Sequence, residues 1–512
     1  MPIVDKLIVT HRGALATKYG KGLSRIDAAV KELVKADAKR GLTTRFVALD
    51  DAAALGRRHV ARPTDERGCK DAIDHLARSM RPDYLMILGA PDVIPHQRLH
   101  NTKHDGDPGI PSDLPYACDE PFTRDPRQYI APTRVIGRLP DVTGSSDPAY
   151  LVALLRRAAR YDCRPRSEYE EFFGLSAQAW RDSTVLSLTN VFGTRGDLRT
   201  SPPQGPRWSR SLLRRRVHFI NCHGAAGDPT FYGQGARALD QPEAMTGRRL
   251  EHSAVREATV VAAECCYGAD LFDPQGNAQR GICYVYLAEG CYGFFGSTCT
   301  AYGPEEGNGQ ADLICQYFLD RVLRGASLGR AALEAQLRFV QACSTMQPED
   351  MKTLAQFVLL GDPSVQPVGR AKHGLADMKA FDDVLGDVTG RRHQRLARRI
   401  WMLRVSEMVR QTVGKASLPG PFRGGPRLRR VLRQLATSEP GTQKPVLSSY
   451  RVTDPVGERM WRRAGGSGRG TFVHTATAQL RRKRGAVVDR FVSVVATVRG
   501  GQVVALRRLY SR

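Results

Sequence analysis

The chain contains no run of 18 uncharged apolar residues, which excludes a helix built to cross a membrane. It also has no basic n-region followed by a long apolar stretch and a small-residue cleavage site. Met1–Thr10 instead runs straight into Leu7-Ile8-Val9, an apolar segment of strand type, so a secretory signal is not expected and the chain reads as cytoplasmic. Paired C-x-x-C spacings of the structural-zinc kind are missing too. The eleven cysteines (Cys69, Cys118, Cys163, Cys222, Cys265, Cys266, Cys283, Cys291, Cys299, Cys315 and Cys343) are odd in number and scattered. In a reducing compartment such cysteines serve mostly as small apolar residues, so a functional one must be found by its neighbours. What remains is 512 residues of which 41% are hydrophobic, enough for a substantial core and more than one domain.

The formal charge of +25 is placed unevenly. Residues 371–512 hold 30 Lys+Arg against 9 Asp+Glu, whereas the first 370 residues hold 47 against 43 and all eleven cysteines. A near-neutral globular front is therefore joined to a strongly basic rear module.

Along the front, short apolar runs alternate with amphipathic stretches. Strands are expected at Lys6–Thr10, Thr44–Leu49, Tyr84–Leu88, Val135–Ile136, Thr184–Leu188, Val217–Asn221, Thr259–Ala263 and Gly293–Gly296. Helices are expected at Arg25–Arg40 and at Asp147–Tyr161, the latter with Asp147 as its cap and Leu151, Leu154, Leu155 and Ala158 on one face. This alternation predicts an α/β fold with a layered, largely parallel sheet flanked by helices. Domain boundaries are expected as 1–160 and 161–370 for two α/β subdomains and 371–512 for an α+β basic module. In that module Arg391–Val413 and Arg427–Arg433 read as helices, and Phe491–Val498 and Gln502–Leu506 as a hairpin around Arg499-Gly500-Gly501.

In such sheets, sites collect beyond the carboxyl ends of strands. Two strand ends carry chemistry: Val217–Asn221 runs into Cys222-His223-Gly224, and Thr259–Ala263 runs through Glu264 into Cys265-Cys266-Tyr267-Gly268. Thiol hydrolysis of a peptide needs a nucleophilic sulfur, a proton donor for the leaving amine and donors for the oxyanion. Cys265 and His223 supply the first two, and the backbone N–H groups of Gly224 and Cys265 the third. The rival is a metal site of Cys222, His223, Cys265 and Cys266, weakened because adjacent cysteines fit two vertices of one tetrahedron poorly.

The His-Gly and Cys-x-x-Gly pair resembles the caspase–legumain–gingipain clan, and residues 1 to about 370 resemble gingipain-like cysteine peptidases. The resemblance is carried by Ala263–Gly268, Tyr84–Pro95, Pro111–Ala117, Val135–Pro140, Phe295–Thr298 and Leu359–Ser364, in order along the chain. It implies a caspase-like fold and a cysteine endopeptidase that works through Cys265 and His223 with no metal or other cofactor in the chemistry. A Cys-x-x-Gly spacing favours Cys265 as nucleophile; a caspase-type Cys-x-Gly reading chooses Cys266. The resemblance also implies that Tyr302 walls the P1 pocket and that Asp147 lies near its acidic base, in competition with a plain helix cap. With Glu305 and Glu306 close to that loop, a basic P1 preference follows. Where many members carry an acid that orients the histidine, this chain has Thr133 beside Arg134, with Asp113 or Asp119 as substitutes.

The alternative reading keeps the fold and drops the chemistry: a pseudopeptidase scaffold that binds through its basic module. A module of this charge suits nucleic acid, an anionic membrane surface or an acidic protein, or docks on the peptidase and regulates it. Stacking platforms in it are few: Phe381, Trp401, Phe422, Tyr450, Trp461, Phe472, Phe491 and Tyr510.

Overall fold

The structure is a computed structural model that describes residues 4–235, 240–252, 255–274, 279–304, 306–343, 345–369, 391–439, 441–453, 470–480 and 489–512, without the side chains of 391–398. Glu305, Phe381 and Trp461 lie outside the described residues.

The front of the chain contributes strands β1 (Lys6–Thr10), β2 (Thr44–Ala48), β3 (Tyr84–Leu88), β4 (Ile136–Leu139), β5 (Phe172–Ala177), β6 (Leu198–Ser201), β7 (Val217–Asn221), β8 (Thr259–Ala263), β9 (Cys291–Ser297), β10 (Tyr302–Pro304), β11 (Thr345–Met346) and β12 (Phe357–Gly361). Its main helices are α1 (Leu23–Lys39), α2 (Glu66–Met80), α3 (Ala149–Arg160), α4 (Arg181–Phe192), α5 (Ile282–Glu289), α6 (Gln310–Leu323), α7 (Leu328–Ala342) and α8 (Pro348–Gln356). Ten strands form one sheet in the order β2-β1-β3-β4-β12-β9-β8-β7-β5-β6. Every neighbouring pair is parallel except β9 with β12. The expected α/β layered sheet, largely parallel and flanked by helices, is thus present. Because the two halves run oppositely, the carboxyl ends of β7, β8 and β9 share an edge with the start of β4.

Side chains alternate across a strand, so each strand feeds both faces. Ile220, Val261 and Ala263 point into one core, beneath α1, α2, α3 and α5, and Phe219, Val260 and Ala262 into the other, beneath α6, α7 and α8. Lys6, the first residue of β1, is buried and pairs with Asp362 and, at 3.1 Å, with Asp37. Lys6→Ala leaves buried Asp362 without its cation, whereas Asp37 keeps Arg40 at 2.7 Å, and is expected to cost about 3–5 kcal/mol, read from urea unfolding midpoints.

One expected strand is a helix. Thr184–Leu188 lies within α4, whose buried residues Ser183, Thr184, Ser187 and Leu188 recur at helical spacing and which Gly193 ends in the left-handed region. The β-branched run suggested a strand, but the more apolar Phe172–Ala177, buried at every position, takes the sheet slot instead. Of Val135–Ile136, Ile136 begins a longer strand, β4, and Val135 precedes it.

The rear module holds α9 (Arg391–Thr412), β13 (Gly414–Ala416), α10 (Pro426–Ala436), β14 (Val446–Thr453), β15 (Phe472–Leu480), β16 (Arg490–Arg499) and β17 (Gln502–Ser511). The expected hairpin is β16–β17, turned by Gly500 and Gly501, both at positive φ. These strands form a second sheet in the order β10-β17-β16-β15-β14-β13-β11, with Gly420–Pro421 paired off β14. Its two outer strands, β10 and β11, come from the front of the chain, so the module is welded to that front by backbone hydrogen bonds. Helix α10 lays Leu432 and Ala436 on Ala476, Ala478, Val494 and Ala496 and leaves Arg427, Arg429, Arg430 and Arg433 in solvent. Among the described residues no helix is long and apolar enough to cross a membrane.

Buried Asp350, at the start of α8, accepts from Gln347 N–H at 3.0 Å and Gln310 Nε2 at 2.8 Å. Burial pushes its carboxyl up to about 6 despite these bonds. The folded state therefore keeps the proton between the ordinary carboxylate range and pH 6, and stability falls as pH rises through that window. Asp350→Asn removes the ionisation and is expected to flatten that slope in denaturant titrations at several pH values, while the loss of one of its two acceptor oxygens, which serve Gln310 and Gln347 separately, offsets part of the roughly 3 kcal/mol gain at pH 7.

Candidate active site

Strands β7 and β8 are adjacent and parallel, with Ala263 level with Ile220. Counted onward, that register brings Cys265 level with Cys222 and Cys266 level with His223. The two chain ends touch closely: a Cβ on Gly224 would run into the Cys266 carbonyl and lie 3.6 Å from Cys265 Cβ, so this approach requires glycine. After the cysteines the backbone turns at Tyr267, which sits at φ +56°. Its N–H donates to the Cys299 carbonyl at 3.1 Å and its hydroxyl bonds Asp107.

Alternation across the strand separates the two thiols. Cys265 belongs to the core that contains Cys222 and Ile220, and its Sγ lies 3.8 Å from the Ile220 carbonyl. Cys266 belongs to the other core with Cys299, Ala301 and Tyr302, and its Sγ accepts from Ala301 N–H at 3.2 Å. On that same face Asn221 reaches Thr184 of α4. His223 stacks edge-on against Trp180 with ring centroids 4.3 Å apart. Its Nε2 meets Gln234 Oε1 at 2.8 Å, while its Nδ1 is buried without a hydrogen-bond partner.

All three titratable groups are held neutral. Burial, followed by the neighbouring Cys222, pushes the Cys265 thiol well up. Burial pushes the Cys266 thiol up to about 12. Burial and then the charge of Arg490 press the His223 imidazole well below its ordinary range, against the bond from Gln234. The pair is thus a thiol and a neutral imidazole, the form in which a base removes the thiol proton as attack begins.

Strand β17 borders the site. It runs antiparallel to β10, with Ser511 opposite Tyr302, and Arg512 N–H donates to the Ala301 carbonyl at 3.0 Å. The Arg512 carbonyl in turn accepts from Cys266 N–H at 3.2 Å. Glu264, the acid just before the cysteines, is buried beside Asp312, and burial, then the Asp312 charge, keeps its carboxyl well above the usual range.

The remaining sequence-predicted positions are distributed as follows. Tyr302 is fully buried in β10 and donates to Asp105 at 3.0 Å. Asp147 is exposed and accepts from Ala149 N–H at 2.9 Å, the helix-cap role that competed with substrate binding. Glu306 is exposed. Thr133 lies four strands from β7, about 19 Å at ordinary strand spacing, and donates to Asp119 at 2.8 Å. Asp119 also pairs with Arg134. Asp113 is engaged by Arg138 at 2.6 Å and His96 at 2.9 Å. None of the three acts on His223; Gln234 holds the ring instead. Among the described residues, no group of three or more His, Cys, Asp or Glu side chains is gathered as a metal site needs. Sequence reasoning missed Gln234, Trp180 and Asp312; only Glu264, a lone acid ending a buried apolar strand, gave a signal there.

Residues 234–368, about a quarter of the chain, match peptidase family C25. The matched stretch contains both cysteines, β9, α6 and β12, and begins eleven residues after His223. The chain is therefore a cysteine peptidase, a hydrolase of peptide bonds. Over this segment it is similar to peptidase family C25, in agreement with the gingipain-like motifs. No curated protein matches the chain. Among solved structures, one described as a protease is 13% identical with a TM-score of 0.49, over 99% of this chain and 96% of that one. A Saccharomyces cerevisiae separase–securin complex is 12% identical with a TM-score of 0.28, over 45% of this chain and 14% of that one.

Proposed function

We propose that the chain is an endopeptidase in which His223 is the acid–base group and Cys266, rather than Cys265, is the nucleophile. The observation that carries this reading is that Cys266 packs in the core that Phe219 of β7 feeds, the side to which alternation assigns His223, while its N–H already donates to a peptide carbonyl. Cys265 lies in the opposite core. In the reaction, Cys266 Sγ gives its proton to the open Nδ1 of His223 and attacks the carbonyl carbon. The carbonyl oxygen takes the negative charge against the N–H groups of Cys266 and Gly224. The C–N bond then breaks as the imidazolium protonates the leaving amine, and water, deprotonated by the same imidazole, releases the acyl group and restores the thiol.

Cys265 as nucleophile, the choice from the Cys-x-x-Gly spacing, is the second reading and is separated by the same experiment. A peptidyl acyloxymethyl ketone should label wild-type protein and Cys265→Ala but not Cys266→Ala. Labelling lost only in Cys265→Ala would reverse the assignment, and no labelling in any form would favour the pseudopeptidase alternative. A basic P1 preference draws support from Asp312, the buried acid that meets the Arg512 guanidinium beside the cysteines. Preferential cleavage after small or acidic residues in fluorogenic libraries would sink it.

We further propose that residues 1–160 and 161–370 act as the two parts of the peptidase and 371–512 as its regulatory module. The strands shared through β10 and β11 support regulation by that module. Nucleic acid as a further partner draws only on the arginine face of α10, and salt-sensitive stimulation of cleavage by RNA or DNA would test it.

A further inference from the structure

Strand β17 lies along β10 as an extended peptide lies on an open sheet edge, the geometry of strand addition. Its register puts Leu509, Tyr510 and Ser511 opposite Pro304, Gly303 and Tyr302. At the end of that strand, Arg512 turns its carbonyl to Cys266 N–H and sinks its side chain, fully buried, beside the nucleophile. Arg512 Nη2 lies 3.0 and 3.2 Å from the two oxygens of Asp312, which is itself fully buried. The guanidinium lies over the Trp180 ring at 4.5 Å, and Trp180 is the ring that stacks on His223. It passes Gly303, where any Cβ would collide with it.

Arg138 shows how a structural arginine is buried in this molecule. Its guanidinium bonds both oxygens of Asp113 and the carbonyls of Gly89 and Ile94. Arg512, by contrast, has Nε and Nη1 without hydrogen-bond partners. A buried cation so incompletely satisfied is held less firmly than a packed structural one. It suits an occupant that can leave.

We propose that β17 is seated in the peptidase's own substrate cleft, with Arg512 filling the primary specificity pocket, and that Asp312 is the residue that selects arginine there. This rests on the peptidase reading above and names its specificity residue and its resident competitor. Glu264 lies behind Asp312, Trp180 and Gly303 form the walls, and β10 supplies the backbone partners. The seated strand covers His223 and Cys266, so substrate enters only when β17 lifts.

The test uses the full chain and a fluorescent peptide, Leu-Arg-Arg-Leu-Tyr-Ser-Arg, with the sequence of residues 506–512, alongside the same peptide ending in Ala. By fluorescence polarisation, Arg512→Ala protein should bind the Arg-ended peptide at least about tenfold tighter than wild type, whose own strand competes. The Ala-ended peptide should bind that variant about a hundredfold more weakly, and adding Asp312→Asn should erase the difference. Equal binding of the two peptides, or equal uptake by wild type and Arg512→Ala, overturns the proposal. Should the variants fold poorly, hydrogen exchange on wild-type protein decides the matter instead. Excess Arg-ended peptide should deprotect the amides of 502–511 and the Ala-ended peptide should not; unchanged protection overturns it. Selective binding without turnover of an internal-arginine substrate supports the seated strand and counts against the peptidase chemistry, so the two fail separately.

Discussion

Cys266→Ala is expected to lower kcat/KM on an arginyl fluorogenic peptide by about 10³-fold or more, and Cys265→Ala by less than about threefold. The asymmetry follows from strand geometry. Successive residues at the end of β8 face opposite sides of the sheet, so Glu264 and Cys266 share the face that His223 occupies. Cys265 is packed with Cys222 and Ile220 on the other. Alanine at 265 removes one sulfur from an apolar core, a loss of packing that leaves the reacting groups in place. Alanine at 266 removes the atom that bonds the acyl group. Comparable losses in both variants, or the reverse order, would show that the turn refolds when substrate binds and that the observed faces are not the working ones.

His223→Ala should reduce kcat by about 10²–10⁴-fold with a much smaller change in KM, because the imidazole acts on protons in flight rather than on bound substrate. Its partner offers a finer readout. Gln234 Oε1 fixes Nε2 at 2.8 Å without adding charge, and the ring is held well below its ordinary pKa by burial and by Arg490. Gln234→Glu introduces a carboxylate at that distance and favours the imidazolium. The acid limb of the kcat/KM profile should therefore move to higher pH by about one unit or more. An unmoved limb would mean that His223 is not the group whose ionisation the profile reports.

The sheet was legible because its strands are short apolar runs set off by amphipathic helices, and six of the eight expected strands fall where periodicity put them. Thr184–Leu188 failed because a β-branched stretch on a helix with a polar-lined interior shows the same composition as a strand. The two strand ends of the site were visible as His-Gly and Cys-Cys-Tyr-Gly, since a buried strand leading into chemistry-bearing residues is a local signal. The choice between adjacent cysteines was not visible, because it depends on which face each residue takes, and spacing to the next glycine does not fix that. Gln234, Trp180 and Asp312 were hidden for another reason. They reach the site from a loop and from the starts of two helices, and nothing in their own neighbourhoods marks them. Thr133 drew attention through its motif, yet four strands separate it from the imidazole.

Strand β10 follows β9 of the first sheet along the chain and edges the second, and that gives it a second consequence. With β17 removed, its three residues present bare carbonyls and, Pro304 having no N–H, the amides of Tyr302 and Gly303 along a free border next to apolar Ala301. Such a border is a template for any extended chain, including a sibling molecule. A front half severed at residue 370 would therefore be at once more open and more adhesive, and keeping the basic tail in place also protects the protein from its own copies.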